Sequence, residues 1–343
     1  MARGSLPGVD VEMSAWAESD EFRPLFCLTN PHVQTIAATF GLARPPSSEV
    51  EVVDLPDGDR ILLEVTTPDA WAPRDPTAVL VHGLCGCSRS GYCVRLARKL
   101  TQLGTRAVRM NLRGCGPGRG LARKIYHSGR SEDVLAVLEA LRARHPESPT
   151  TLVGFSLGGN IVLKLAGEMA QAANGVLRQV IAVGPPVDLK ASAERLSHPR
   201  NRLYDRFFVR LLIKAVRDRH SLFPDLPRPT LPRKLRLVEF DDVYTAPTCG
   251  FAGAMDYYER ASSAQLLRNI AVPARVLVAD DDPLVDSSTL YGLHLPPNVK
   301  VTRTLHGGHL GFLGRDPRGG GLRWMDGKVL EWILEQCPAH VTR

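Results

Sequence analysis

A short apolar run, Thr150 to Val153, ends in Gly154-Phe155-Ser156-Leu157-Gly158 and passes at once into a helix-forming stretch, Asn160 to Ala173. No other passage leaves this chain less freedom. A strand that turns straight into a helix needs small residues on either side of the turn, and both flanking positions are glycine, with Gly159 a third where the helix meets the sheet. The same turn exposes one hydroxyl, Ser156, at a helix N-terminus, where a neighbouring base can activate it as a nucleophile. Glycine and serine are common, so G-x-S-x-G alone decides little. The strand before and the helix after favour a nucleophile turn over a plain glycine-rich cap.

The rest of the chain keeps the same rhythm. Val50 to Leu55 and Ile61 to Val65 alternate around Pro56-Asp57-Gly58-Asp59, which is turn chemistry between antiparallel strands. Thr77 to His82 is a short, nearly continuous apolar strand of the doubly buried kind, followed by the loop Gly83 to Gly91 and helical spacing from Tyr92 to Leu103. Strand Arg106 to Leu112, helix Ser131 to Arg144, strand Thr151 to Gly154, helix Asn160 to Ala173 and strand Gln179 to Val183 follow. Such alternation predicts an α/β fold with a mostly parallel sheet flanked by helices. After Pro185-Pro186 the rhythm breaks, and it returns only with strands Arg275 to Ala279 and Lys300 to Thr304 and a last helix, Trp324 to Gln336. The expected division is an N-terminal arm over 1–47 whose first twenty residues are loose, a core over 48–187, a helical cap inserted over 188–270, and the second part of the core over 271–343.

Composition narrows the function. With 44% hydrophobic and 23% charged residues the 343-residue chain is of ordinary globular type. Its net charge of +7 is spread along the sequence without an aromatic-basic motif, so nucleic acid is not an expected partner. Seven cysteines, an odd number without a secretory signal, point to reduced thiols and a cytoplasmic protein. His82, Cys85, Cys87 and Cys93 lie close in sequence, but their spacing matches no C-x2-C pair, and zinc is not expected there. No apolar run is long enough to span a bilayer.

A nucleophilic serine needs a base within hydrogen-bond reach and a carboxylate that fixes the base's tautomer, in the chain order serine, acid, histidine. Strand Arg275 to Ala279 runs into Asp280-Asp281-Asp282-Pro283. Asp281 is taken as the acid, with Asp280 and Asp282 as turn residues, since aspartate before proline commonly starts a turn. The segment His306-Gly307-Gly308-His309-Leu310-Gly311-Phe312 supplies the base. His309, beyond the glycine pair, suits a loop that bends into the site, whereas His306 can still belong to the strand. Attack on a carbonyl places negative charge on oxygen, to be met by the backbone N–H of Leu157 at the helix start and of Leu84 in the loop His82-Gly83-Leu84-Cys85-Gly86, with His82 bracing that loop. No metal or organic cofactor is expected.

These residues resemble the AB-hydrolase-4 family, the YheT-like branch of the α/β-hydrolases. The likeness runs through Asn30-Pro31-His32-Val33-Gln34-Thr35, His82-Gly83-Leu84, Arg113-Gly114-Cys115-Gly116, Ile125-Tyr126-His127-Ser128-Gly129, Glu239-Phe240-Asp241-Asp242, Asp281-Asp282-Pro283 and His306 to Phe312, in that order. The resemblance implies hydrolysis of carboxylic esters by a triad of Ser156, Asp281 and His309 beneath a helical cap, on short- or medium-chain acyl esters or lipid esters. Acyl transfer to alcohols and amide hydrolysis are compatible with the same triad. Cys85 and Cys87 depart from the acidic or small residues usual in that loop, and the membrane anchor of many eukaryotic relatives is missing, which points to a soluble bacterial-type enzyme. A binding scaffold without catalysis is the rival from another class. The Asn30–Thr35 and Ile125–Gly129 segments have no reactive role that their chemistry suggests; helix capping and lining of the entrance are expected of them.

Arg202, Arg206, Arg210 and Lys214 recur every four residues, with Leu203, Phe207, Phe208, Leu211 and Leu212 on other faces. This basic amphipathic helix either packs one face on the core or also rests peripherally on an anionic membrane. Acyl length, alcohol and oligomeric state are not encoded legibly.

Overall fold

The computed structural model describes residues 16–18, 22–26, 28–40, 44–316 and 321–336. Residues 1–15, most of the stretch read as a loose arm, lie outside them, as do Cys27 and Cys337. In chain order the strands are β1 (Trp16–Glu18), β2 (Glu49–Asp54), β3 (Arg60–Thr66), β4 (Thr77–Val81), β5 (Arg106–Met110), β6 (Thr150–Phe155), β7 (Leu177–Val183), β8 (Ala274–Ala279) and β9 (Val299–Thr304). The helices are α1 (Pro31–Ala37), α2 (Gly91–Gln102), α3 (Ser131–Arg144), α4 (Leu157–Met169), α5 (Leu189–Ser197), α6 (Arg202–Leu222), α7 (Leu237–Phe240), α8 (Ala246–Cys249), α9 (Ala254–Ala261) and α10 (Trp324–Glu335).

The described strands form one sheet in the order β1-β9-β8-β7-β6-β4-β5-β3-β2. Of these strands β3 alone points the other way, antiparallel to both β2 and β5. The β2–β3 hairpin pairs Val53 with Ile61 across the Pro56–Asp59 turn, as its alternation predicts. Trp16–Glu18, within the stretch that the sequence leaves as a loose arm, instead adds an edge strand parallel to β9.

Alternation along β4 sorts the core. Ala78 and Leu80 face α2 and α10, packing with Leu96, Leu100, Trp324 and Ile333. Val79 and Val81 face the other way, toward α3 and α4 with Val134, Leu138, Ile161 and Leu165. Burial on both faces is why the parallel strands read as continuous apolar runs rather than alternating ones.

Between β7 and β8 the chain leaves the sheet and builds α5 to α9. The basic amphipathic segment folds as the 21-residue α6. Residues Asp241–Thr245 form one wide turn with i→i+5 bonding between α7 and α8, a local widening of the kind often found at functional positions. Tyr257 on α9 ties this layer to the core, its hydroxyl donating to Ser128 Oγ at 2.9 Å while accepting from Ser128 N at 3.0 Å. Gly129 lets α9 approach, because a Cβ there would meet the Cβ of Ala261 at 2.8 Å. Among the described residues, no helix is long and apolar enough to cross a membrane.

Candidate active site

Ser156 sits between β6 and α4 at φ 52° and ψ −121°, a strained conformation for a residue with a side chain. The crowding anticipated around it is real. A Cβ on Gly154 would collide with the carbonyl of Gly158, and one on Gly158 with the carbonyls of Val81 and His82. The turn is held by Ser156 N donating to Val183 O at 2.8 Å and by Asn160 N donating to Ser156 O at 3.2 Å.

His309 lies beside the hydroxyl. Its Nε2 is 2.8 Å from Ser156 Oγ, and its Nδ1 is 2.8 Å from Asp282 Oδ2. Asp281, expected to be the acid, does not meet this ring. Its carboxylate accepts from Gly308 N at 2.8 Å and faces His306 Nδ1 at 3.3 Å, and burial pushes its pKa upward. The end of β8 explains the exchange. Asp280 N still donates to Thr304 O as though the strand continued, and the Asp280 side chain pairs with Arg303 on β9 at 2.6 Å. The chain then turns, Asp282 N reaching back to Ala279 O, and it is the third carboxylate that swings over the strand ends. Asp282 Oδ1 is occupied by Leu284 N and Val285 N at 2.8 and 2.9 Å, which leaves Oδ2 for the imidazole.

The remaining expectations concern the oxyanion loop. Gly83 N donates to Tyr92 Oη and Cys85 N to Tyr126 Oη, both at 3.0 Å, while Gly86 N donates to Gly83 O. Among the described residues, Leu84 N is the backbone N–H of positions 83–86 left without an acceptor, and Leu157 N, at the first position of α4, has no intrahelical acceptor. Cys85 adopts φ 57°, which bends the loop over Ser156. His82 braces it: Nδ1 donates to Gly83 O at 2.8 Å and Nε2 accepts from Leu112 N at 3.1 Å. Both ring nitrogens are therefore committed, and burial lowers the His82 pKa to about 4, keeping the ring neutral.

Two segments without an evident chemical role act on this geometry. In α1, Asn30 caps the helix by accepting from His32 N and Val33 N. Thr35 Oγ1 accepts from His309 N at 2.8 Å and donates to Pro31 O at 2.7 Å. The buried Gln34 donates to Leu28 O and Leu313 O and accepts from Leu313 N, so both ends of the histidine loop rest on one short helix. In the other segment, Tyr126 holds Cys85, and Ser128 O accepts from Asn160 Nδ2 on α4. Arg113 fixes the loop after β5 by a bidentate pair with Asp133 and contacts to Asp57 and Asp59.

Ser156 and His309 open into a cavity of about 440 Å³, lined from the other side by Leu196, Phe208, Leu212, Phe240 and Tyr258. Asp241 reaches the same cavity, accepting from Thr245 Oγ1 and Tyr258 Oη. Burial pushes its pKa up to about 6.

A parallel sheet with helices on both faces, and a serine on the strand-to-helix turn at its centre, define an α/β-hydrolase. A family model described as alpha/beta hydrolase fold matches residues 76–316. YheT of Escherichia coli, whose name carries a provisional esterase designation, is 31% identical over 341 residues, covering 96% of this chain and 97% of its own. Medium-chain fatty acid ethyl ester synthase/esterase 2 of Saccharomyces cerevisiae is 30% identical over 268 residues, covering 70% of this chain and 59% of its own. Among solved structures, Est1E of Butyrivibrio proteoclasticus with bound ferulic acid has TM-score 0.54 at 15% identity, over 83% of this chain and 98% of that one, a likeness of fold. The chain belongs to the α/β-hydrolase family, in its YheT-like branch.

Proposed function

We propose that the protein hydrolyses carboxylic esters through an acyl-enzyme, with Ser156 as nucleophile, His309 as base and Asp282 as the acid that orients it. The observation that carries this reading is the unbroken hydrogen-bonded line from Asp282 Oδ2 through the His309 ring to Ser156 Oγ. Asp282 accepts a hydrogen bond from Nδ1–H, which holds that proton on Nδ1 and leaves the Nε2 lone pair for the serine proton. As Ser156 Oγ bonds to the carbonyl carbon, its proton passes to Nε2 and the oxyanion is met by the N–H groups of Leu84 and Leu157. The C–O bond to the alcohol then breaks, the alcohol leaving with that proton. Water repeats the sequence on the acyl-enzyme and releases the carboxylic acid.

The cavity's apolar lining and its size suit short to medium acyl groups. Acyl transfer to an alcohol is the second reading: one relative is named as both ester synthase and esterase, and an alcohol can replace water at the acyl-enzyme. The test is labelling by a fluorophosphonate. Wild-type protein should be labelled and Ser156→Ala should not; a wild-type chain that stays unlabelled while folded refutes the proposal. A series of p-nitrophenyl esters run with and without added alcohol then gives the acyl length and the ratio of acid to new ester.

A further inference from the structure

The outward face of α6 carries charge that no described residue neutralises. Arg202, Arg206, Arg210 and Arg217 are all exposed, spaced to share one stripe. Among the described residues, no carboxylate lies within ion-pair distance of any of the four, whereas the neighbouring Lys214 and Arg119 both pair with Asp218. Exposed acids are missing from this stripe, since Asp205 is buried and bonded to Leu237 N. Between the arginines two large apolar side chains project into solvent, Leu203 at 78% and Phe207 at 56% exposure.

The start of α6 lies against α1. The His32 ring stacks on Tyr204 with centroids 5.7 Å apart, and its Nδ1 is 3.2 Å from the Tyr204 hydroxyl. Helix α1 brings its own exposed apolar residues, Val33 at 42% and Ile36 at 50%. The opposite face of α6, through Phe208, Leu211 and Leu212, lines the cavity that holds Ser156. One helix thus separates the candidate active site from a surface of protruding apolar groups set among unpaired guanidinium groups.

We infer that the α1–α6 face docks on an anionic lipid bilayer. Guanidinium groups at the headgroup level meet lipid phosphates, while Leu203, Phe207, Val33 and Ile36 enter the acyl boundary. A polynucleotide would satisfy the arginines but leave Leu203 and Phe207 in water; the bilayer accommodates both. The inference does not depend on which ester is cleaved.

Sedimentation of the whole protein with vesicles tests it. Wild type should pellet with phosphatidylcholine vesicles containing about a third phosphatidylglycerol, far less with phosphatidylcholine alone, and much less in strong salt, where screening shortens to about 3 Å. At roughly a factor of five per arginine, the triple variant Arg202→Gln, Arg206→Gln, Arg210→Gln should bind about a hundredfold more weakly. Leu203→Ser with Phe207→Ser should weaken binding while leaving it salt-sensitive. Turnover of a soluble p-nitrophenyl ester should stay unchanged in both variants, which shows that they are folded. Absence of wild-type pelleting, equal binding to neutral vesicles, indifference to either set of substitutions, or binding to duplex DNA in place of vesicles would each overturn the inference.

Discussion

Replacing Asp282 by asparagine, with Asp281→Asn beside it, puts the sharpest question to the site. In the native protein Asp282 Oδ1 holds two backbone N–H groups and Oδ2 faces His309 Nδ1. Asparagine keeps that shape, and its amide oxygen will stay on Leu284 N and Val285 N, because turning it away would leave two buried donors facing an NH2 group. The NH2 must then point at His309 Nδ1 and donate to it. That fixes the ring proton on Nε2, aimed at Ser156, so no lone pair is available for the serine proton. The same exchange in a serine protease lowers kcat by about 10⁴, or about 5 kcal/mol of barrier. Asp281→Asn differs. Its amide oxygen can still accept from Gly308 N, so what is lost is charge assistance on that hydrogen bond and at the exposed His306 contact, together about 1 kcal/mol or roughly fivefold in rate. Steady-state kinetics on a soluble ester, with circular dichroism as a check on folding, would compare the two. A loss in Asp281→Asn equal to or larger than that in Asp282→Asn would refute the assignment.

Two further perturbations follow from contacts outside that line. Thr35→Val removes the acceptor of His309 N and should lower kcat roughly fivefold with little change in KM, since one hydrogen bond of about 1 kcal/mol is lost; Thr35→Ser should restore the rate, and an unchanged kcat in the valine variant would show that α1 does not position the base. Asp241 is raised from 3.8 to about 6 by burial, so the folded state holds its proton more tightly than the unfolded one: its contribution is full below pH 3.8 and is lost as pH rises through 6, by on the order of 3 kcal/mol. Asp241→Asn should therefore lose this slope and gain stability relative to wild type above pH 6 in urea titrations, whereas parallel stability curves would contradict it.

Local sequence determined the elements and the reactive types. Buried strands such as Thr77–Val81 read as unbroken apolar runs because helices cover both sheet faces, and the glycines around Ser156 announced a turn whose crowding forbids a Cβ. The order serine, acid, histidine brought forward Ser156 and His309, whose side chains lie in hydrogen-bond contact. What pattern could not settle was which of three consecutive aspartates faces the ring. Composition and order treat Asp280, Asp281 and Asp282 alike; the bend after β8, bonded to β9 on one side and to α5 through Arg195 Nε on Asp282 O, decides which carboxylate crosses the strand ends. The work of α1 was hidden for a related reason. Thr35 and His309 are separated by most of the chain, and a hydrogen bond between them exists only once the sheet has closed that distance. Periodicity is a property of neighbours along the chain, and so it specifies strands, helices and turns; contacts between distant residues depend on where folding places whole elements, and only the tertiary structure fixes those.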